Sequence, residues 1–390
     1  MNTTVKTGTK FIAAIILGGI VGYALGVSKT QIKETRETEK KSIKIGAIFS
    51  LTGNGAAYGE PARDGLKLAV EEFNKGGGIN GRAIEVIYED SQFDPKIAVS
   101  SYRSLTARGV KYFFSNGSSV ASALKTPVVD DGNFNFEVGA VTPLYRDGKP
   151  NTCRATLTAD VSGKALGEFI ADNLKLKTVG FLTLNDEFGQ AVYENVRKTI
   201  EERGVTVTAA ESFGKDDGDF RTQITKLIGG SSKSEGVVVI PAAGQAQTLF
   251  KQLKDQNWSG ITLSDNWTII NQQLKDLSLA EGVYFSNYAW SPSSGGSDAP
   301  ETESFKRAFS NAYSYDPPVI AANAYDSLFI LAQGLAESDL ASPEAVGVWL
   351  TKNVKNFSGV TGRIFLNDDC EGTREAVIQQ VKEGKFVTVW

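Results

Sequence analysis

The sequence predicts an α/β protein built as two similar lobes, each a mostly parallel, doubly wound sheet with helices on both faces. Apolar, β-branched segments alternate with amphipathic helical segments along most of the chain, which is typical of βαβ units. This alternation occurs twice, over about residues 43–141 and about residues 154–284. The stretch between them, TPLYRDGKPNTC, is rich in turn-forming residues and favours two Rossmann-like lobes over one wide sheet.

Local patterns predict each element of the first lobe. The helix that follows the first strand places Leu66, Ala69 and Phe73 on one face, and a run of three glycines from Gly76 ends it. In chain order we expect strand Ile43–Leu51, helix Pro61–Lys75, strand Ala83–Asp90, helix Pro95–Gly109 and strand Val110–Ser118.

The second lobe repeats this order, and a tail of mixed type follows it. We expect strand Thr178–Asp186, helix Phe188–Gly204, strand Val205–Gly214, helix Asp219–Gly230 and strand Glu235–Gly244. The tail contains one long helix pattern, Ala322–Ser338, and a final strand pair within Gly362–Trp390.

The composition excludes several classes of function. The 390 residues include 41 Lys and Arg against 45 Asp and Glu, and a net charge of −4 argues against broad nucleic-acid binding. The absence of His excludes a Ser-His-Asp triad and a His-ligated zinc site, and two Cys do not make a thiolate metal cluster. The glycine loop that begins at Gly53 does not fit a dinucleotide fingerprint, because Tyr58 occupies its third glycine position. We therefore expect no enzyme activity, no metal and no cofactor.

The N-terminus predicts a location outside the cytoplasm. The apolar stretch Phe11–Val27 follows two lysines and indicates a membrane anchor or a cleaved signal peptide within residues 1–27, and residues 28–42 form a charged linker. In an oxidising compartment, Cys153 and Cys370 are expected to form a disulfide, and two separately buried thiols are the alternative.

Two loops of the first lobe suggest a ligand site. In open α/β sheets, ligands lie beyond the carboxyl ends of the strands, where helix N-termini offer free N–H groups. Tyr58 offers an aromatic wall there. Ser118 and Ser119 lie where a helix begins, so they either grip a ligand carboxylate or simply cap that helix.

Several segments together resemble one family. IGAIFSLTGNGAAYGEPARDGLKLAVEEFNKGGG, NGSSVASALKTP, LNDEFGQAVYENVRKTIEERG, DFRTQITKL and ANAYDSLFILAQGLAES are similar to the type I periplasmic binding proteins of branched-chain amino acid ABC importers. The resemblance implies two lobes joined by three hinge segments, with a ligand bound between them by hinge closure. It assigns residues 43–152 and 286–357 to lobe 1, and residues 153–285 and 358–390 to lobe 2. Both cysteines then belong to lobe 2.

The resemblance also implies roles for individual residues. It assigns the ligand carboxylate to Ser118, with Ser119 as the alternative. It assigns the ligand ammonium to Asp265, which otherwise is a solvated loop residue or caps the following helix. Trp267 either fills the space that the small residues Ala242 and Ala243 leave free, or packs in the core. The remaining cleft residues that it implies are Tyr58, Gly139, Ala140, Thr142 and Phe188.

These features together predict a solute-binding protein. The expected ligand is a small polar molecule, first a branched-chain or other hydrophobic amino acid, and the expected partner is an ABC permease complex. A ligand-binding sensor ectodomain, or a receptor for a short amide, a urea-like solute or an organic acid, is the alternative. The protein is expected to act as a monomer attached to the membrane through its N-terminal segment.

Overall fold

The computed structural model describes residues 41–142, 150–229, 233–269, 274, 276–288, 300–338 and 342–390. The predicted anchor or signal segment, and nearly all of the charged linker, lie outside these residues. Within them, the predicted α/β architecture with two mostly parallel sheets is confirmed.

The first sheet contains five parallel strands in the order β2-β1-β3-β4-β5. Strand β1, which lies between β2 and β3, is buried along almost its whole length because helices cover both faces. The strands are β1 (Ile43–Phe49), β2 (Ile84–Asp90), β3 (Tyr112–Ser115), β4 (Phe134–Glu137) and β5 (Thr152–Arg154); the helices are α1 (Ala56–Lys75), α2 (Pro95–Ala107) and α3 (Ser118–Asp130).

Helix α1 begins earlier than predicted and places its glycines against the sheet. A Cβ at Gly59 would lie 2.0 Å from the carbonyl oxygen of Ser50, so only glycine lets the helix approach the end of β1 this closely. Gly189 has the same relation to the carbonyl oxygen of Leu184 in the second lobe, also at 2.0 Å. Gly59 therefore serves close contact between helix and strand.

The second sheet contains seven strands in the order β15-β14-β10-β9-β8-β6-β7. Its first five strands in chain order run parallel, and the C-terminal strands β14 and β15 add an antiparallel edge. The strands are β6 (Thr178–Leu184), β7 (Thr206–Phe213), β8 (Gly236–Ile240), β9 (Ile261–Asp265), β10 (Tyr284–Tyr288), β14 (Ala376–Lys382) and β15 (Lys385–Thr388). The helices are α4 (Ala159–Glu168), α5 (Glu187–Glu202), α6 (Arg221–Gly229), α7 (Ala246–Asp255) and α8 (Asn266–Ile269).

Between β10 and β14 the chain returns to the first lobe. It forms α9 (Pro300–Tyr313), α10 (Val319–Glu337) and α11 (Pro343–Asn353), followed by a small sheet of β11 (Phe357–Gly359), β12 (Gly362–Leu366) and β13 (Gly372–Thr373). Helix α10 packs on α1, and a Cβ at Gly65 would lie 2.0 Å from the carbonyl oxygen of Ala321. Among the described helices, α10 alone is long and apolar enough to cross a membrane, but most of it is buried in this core.

The two sheets divide the chain close to the predicted lobe boundaries, with two differences. The boundary after residue 152 cuts β5, which pairs with β4 and belongs to the first sheet. The boundary after residue 285 cuts β10, which stays in the second sheet as far as Tyr288. The chain passes between the lobes three times: after β5, after β10 and before β14.

Candidate functional site

A cavity lies where loops from both sheets meet. Apart from one side chain of α10, its lining residues belong to the carboxyl end of a strand or to the segment that follows one, which is where the α/β architecture predicts a ligand. They are Tyr58, Phe93, Asn116, Gly117, Ser118, Gly139, Leu184, Asp186, Phe188, Ala242, Trp267 and Ile320. Five of the predicted residues are therefore together here: Tyr58, Ser118, Gly139, Phe188 and Trp267.

Aromatic side chains from both lobes form the walls of this cavity. The rings of Tyr58 and Trp267 meet edge to face, with their centroids 6.1 Å apart. The Tyr58 hydroxyl also donates to the carbonyl oxygen of Trp267 at 3.1 Å, so this pair joins α1 of the first lobe to α8 of the second. Trp267 and Ala242 both line the cavity.

Phe93 is an aromatic wall residue that the sequence analysis missed. Its ring centroid lies 6.1 Å from that of Tyr58, and its backbone has a φ of 59°, an uncommon left-handed conformation for a bulky residue. Asp94 follows it and caps α2 by accepting from the N–H groups of Lys96 and Ile97. An Asp-Pro cap directly after a strand is the sequence signal that places Phe93 at the cavity.

Ser118 and Ser119 have different surroundings although they are adjacent. Gly117 is the N-cap of α3, so neither serine has the plain capping role that was the alternative to ligand binding. The Ser118 hydroxyl lies in the cavity wall and accepts from the backbone N–H of Val141 at 3.2 Å. The Ser119 hydroxyl instead donates to Oε2 of Glu187 in the second lobe at 2.6 Å.

Asn116 is a second cavity residue that the sequence analysis missed. Its side chain is 1% exposed, and its Oδ1 accepts from the backbone N–H of Ser50 at 3.0 Å. This bond fixes the orientation of the amide, because an N–H donor pairs only with the amide oxygen. Among the described residues, Nδ2 of Asn116 has no hydrogen-bond partner. A buried donor without a partner costs about 1–3 kcal/mol.

Glu137 is fully buried and contacts two of the loops that line the cavity. Its Oε1 accepts from the backbone N–H groups of Gly117, Gly139 and Ala140 at 2.9–3.0 Å, and the Ser115 hydroxyl donates to its Oε2. Burial raises the pKa of Glu137 to about 8. The N–H groups of two binding loops are therefore occupied by the protein's own carboxyl group.

Ala140 and Thr142, predicted as cleft residues, face the protein interior in this structure. The carbonyl oxygens of both accept from the guanidinium of Arg154, which is fully buried. Arg154 also forms a salt bridge with Glu371. Of the described residues of this loop, only Gly139 lies in the cavity wall, and Arg154 holds Ala140 and Thr142 in place.

Asp265 is buried and turned toward its own helix. Its Oδ1 accepts from the backbone N–H of Thr268 at 3.1 Å and from the hydroxyl of Thr268 at 3.0 Å. Burial raises the pKa of Asp265 to about 6. These bonds match the capping role that the sequence analysis held as the alternative, and Asp265 does not line the cavity.

Asp186 is the carboxylate that does line the cavity, and the sequence analysis missed it. It is the N-cap of α5, and its Oδ1 accepts from the backbone N–H of Gly189 at 2.8 Å. Burial, aided by the neighbouring charge of Glu187, raises the pKa of Asp186 to about 6. Within the described part of the chain, no Lys or Arg forms an ion pair with it.

Direct hydrogen bonds join the two lobes across the cavity region. They include the Tyr58–Trp267 and Ser119–Glu187 bonds and a bond from Nδ2 of Asn54 to the carbonyl oxygen of Lys215 at 3.1 Å. The lobes of this structure are therefore in contact, and the aromatic cavity lies between them.

The predicted disulfide between Cys153 and Cys370 is present, with Cα atoms 4.7 Å apart. The expectation that both cysteines belong to lobe 2 is wrong for Cys153, because strand pairing places it on β5 of the first sheet. The backbone N–H of Arg154 also donates to the carbonyl oxygen of Cys370 at 3.0 Å. The disulfide therefore ties the edge of the first sheet to the turn between β12 and β13, close to two of the passages between lobes.

Comparisons with known proteins agree with this architecture. A family model described as periplasmic binding protein matches residues 42–385. The chain is 26% identical over 374 residues to the leucine-, isoleucine-, valine-, threonine- and alanine-binding protein of Pseudomonas aeruginosa, with 93% of each chain covered.

Two solved structures share its fold. One is the isoleucine complex of the branched-chain amino acid transporter substrate-binding protein LivJ from Streptococcus pneumoniae, with a TM-score of 0.79, 24% identity, and coverage of 89% of this chain and 99% of that one. The other is a solute-binding protein of an ABC transporter from R. palustris in complex with benzoate, with a TM-score of 0.81, 20% identity, and coverage of 89% and 95%.

Proposed function

The chain belongs to the periplasmic binding protein family, and we propose that it captures a small organic solute between its two lobes and delivers it to an ABC importer. As a member of this family it is a solute-binding protein of the extracytoplasmic space, not an enzyme. The observation that carries the proposal is the cavity whose walls come from the strand ends of both sheets. Lobes that meet along such a cavity trap a ligand when they close around their hinges.

A hydrophobic amino acid is the first ligand class, with branched-chain amino acids foremost. Aromatic and aliphatic side chains supply an apolar wall, and the hydroxyl of Ser118 and the first N–H groups of α3 suit a carboxylate. The names of the Pseudomonas aeruginosa and Streptococcus pneumoniae proteins support this class. Tyr58, Ser118, Gly139, Phe188 and Trp267 are the predicted residues that we retain as ligand contacts.

An organic acid or a neutral amide is the second ligand class. The observation that favours it is the orientation of Asp265, which faces Thr268 and not the cavity, so the ammonium partner implied by the resemblance is missing from that position. The benzoate complex of the R. palustris protein is consistent with an aromatic acid between such walls.

We infer further that the N-terminal apolar segment holds the protein at the membrane, with a cleaved signal peptide as the alternative, and that the protein acts as a monomer. The apolar stretch after two lysines supports the first inference. The intact mass of the protein purified from its native membrane distinguishes an anchor from a cleaved signal peptide, because cleavage would remove the mass of the whole segment.

A thermal-shift screen of the full-length protein in detergent tests the proposed function. The panel contains branched-chain and aromatic amino acids, their amides, benzoate and urea. A true ligand raises Tm in proportion to the logarithm of its excess over Kd, because it binds only the folded state. A leucine, isoleucine or valine shift supports the first class, and a shift with benzoate or an amide alone supports the second. Absence of any shift across the panel contradicts the proposal.

A further inference from the structure

Two polar groups on opposite walls of the cavity are available to a ligand. On the first lobe, the amide of Asn116 is held by the Ser50 N–H, and its Nδ2 has no partner among the described residues. On the second lobe, Oδ1 of Asp186 caps α5, and Asp186 has no cationic partner in the described part of the chain. One group is a donor and the other is an acceptor with negative charge.

The surroundings of these groups favour a ligand over a partner within the protein. Aromatic rings of both lobes form walls of the cavity, and Asn116 itself is buried, so its amide has little access to water. An acceptor atom of the ligand would satisfy the buried N–H, and an ammonium or N–H group would neutralise or pair the carboxylate. Asp265, the acid predicted for this purpose, does not line the cavity, whereas Asp186 does.

Resting on the proposed function, we propose that Asn116 and Asp186 orient the ligand and thereby set its chemical class. Asn116 donates from Nδ2 to a carbonyl or carboxylate oxygen of the ligand, and Asp186 accepts from its ammonium or N–H group. The aromatic walls hold the apolar body between them. The preferred ligand is therefore a small dipolar molecule with an acceptor, a donor and an apolar side chain, such as a hydrophobic amino acid or its amide.

Two substitutions isolate these roles and retain the local structure. Asp186→Asn keeps the oxygen that accepts from Gly189, since Asn caps helices about as well as Asp, but it removes the charge. Asn116→Asp keeps the oxygen that accepts from Ser50 and replaces the donor with a second oxygen. The matched control is Asp276→Asn, an exposed helix cap on Ser278 outside the cavity. Thermal unfolding of each variant checks that it is folded.

The probes are L-leucine, L-leucinamide and 4-methylpentanoate, titrated calorimetrically into the full-length protein in detergent. The last compound keeps the acceptor and apolar body of leucine but has no ammonium. We expect Asp186→Asn to weaken leucine and leucinamide binding at least about tenfold and to leave 4-methylpentanoate binding unchanged. We expect Asn116→Asp to weaken binding of all three at neutral pH. The control should match the wild type.

A pH series separates a donor role for Asn116 from a purely structural one. When the carboxyl of the Asn116→Asp variant takes up a proton it regains a donor, so its affinity relative to the wild type should recover as the pH falls. A structural defect would not recover in this way. If the wild type binds leucine and both folded variants bind it equally well, the proposed roles of Asn116 and Asp186 are disproved and the proposed function stands. If the wild type binds none of the probes, the assignment of an amino acid as ligand is wrong, and so are the proposed roles of Asn116 and Asp186.

Discussion

The hydroxyl of Tyr58 donates to the carbonyl oxygen of Trp267, 3.1 Å away, and links the first helix of lobe 1 to a short helix of lobe 2. Tyr58→Phe keeps the ring and removes this bond, which forms only when the lobes meet. We expect ligand affinity to fall about fivefold, the equivalent of about 1 kcal/mol. Calorimetric titration measures the affinity. The control is Tyr112→Phe, on β3 of the same lobe and outside the cavity. Equal affinities in Tyr58→Phe and the wild type would contradict a role of the Tyr58–Trp267 bond in holding the lobes closed.

The Ser119–Glu187 bond is a second link between the lobes, at 2.6 Å. We expect Ser119→Ala and Glu187→Gln each to weaken ligand binding a few-fold, and the double variant to bind about as well as either single one. A double-mutant cycle of Kd values should give a coupling energy of about 1 kcal/mol. The exposed Lys251–Asp255 pair within α7 serves as a control cycle, for which we expect no coupling to ligand binding. Strict additivity at Ser119 and Glu187 would disprove the link.

Glu137 should make stability depend on pH. Its carboxyl ionises near pH 4.5 in the unfolded chain but keeps its proton to about pH 8 in the folded protein. Between these values the folded state binds more protons, so stability is highest below the window and falls as the pH rises through it. Glu137→Gln should therefore show a Tm advantage over the wild type that grows from pH 6 to pH 8 and then levels off. Parallel Tm curves for the two proteins would refute this assignment.

The disulfide closes a loop between residues that are 217 positions apart. In the chain-entropy model, so large a loop stabilises the folded state by about 5 kcal/mol, and measured values are often smaller. Replacing both cysteines with serine should therefore lower Tm by many degrees, as should reduction of the wild type. Calorimetry with and without reductant measures this, and reductant should leave the serine variant unchanged. Insensitivity of the wild-type Tm to complete reduction would count against a stabilising role.

Much of the fold was predictable because it depends on repeated local patterns. Alternation of apolar strands and amphipathic helices fixed the two parallel sheets, and the rule that ligands lie beyond strand ends placed the cavity. The division after residue 152 failed because β5 is only three residues long and is held by pairing with β4, which a local pattern does not reveal.

The direction in which a side chain points was much harder to predict. Ser118 and Ser119 are adjacent, but successive residues of a helix differ in direction by about 100°, so the first lies at the cavity and the second binds Glu187. Asp186 and Asp265 both lie at the ends of strands in lobe 2, and only their hydrogen bonds distinguish the one that lines the cavity. Glu137 collects N–H groups from two separate loops, a pattern of long-range contacts that spacing alone does not contain.

The glycines at 59 and 189 have a consequence for how ligand preference can change. Each lets a helix contact the backbone at the end of a strand directly. The backbone that carries the cavity walls therefore has no room to shift at these two points. A new ligand preference then evolves only through substitution of side chains on an unchanged backbone. Paralogues with unrelated cargo should superpose closely along these backbones and diverge at the rings, amides and carboxylates they display.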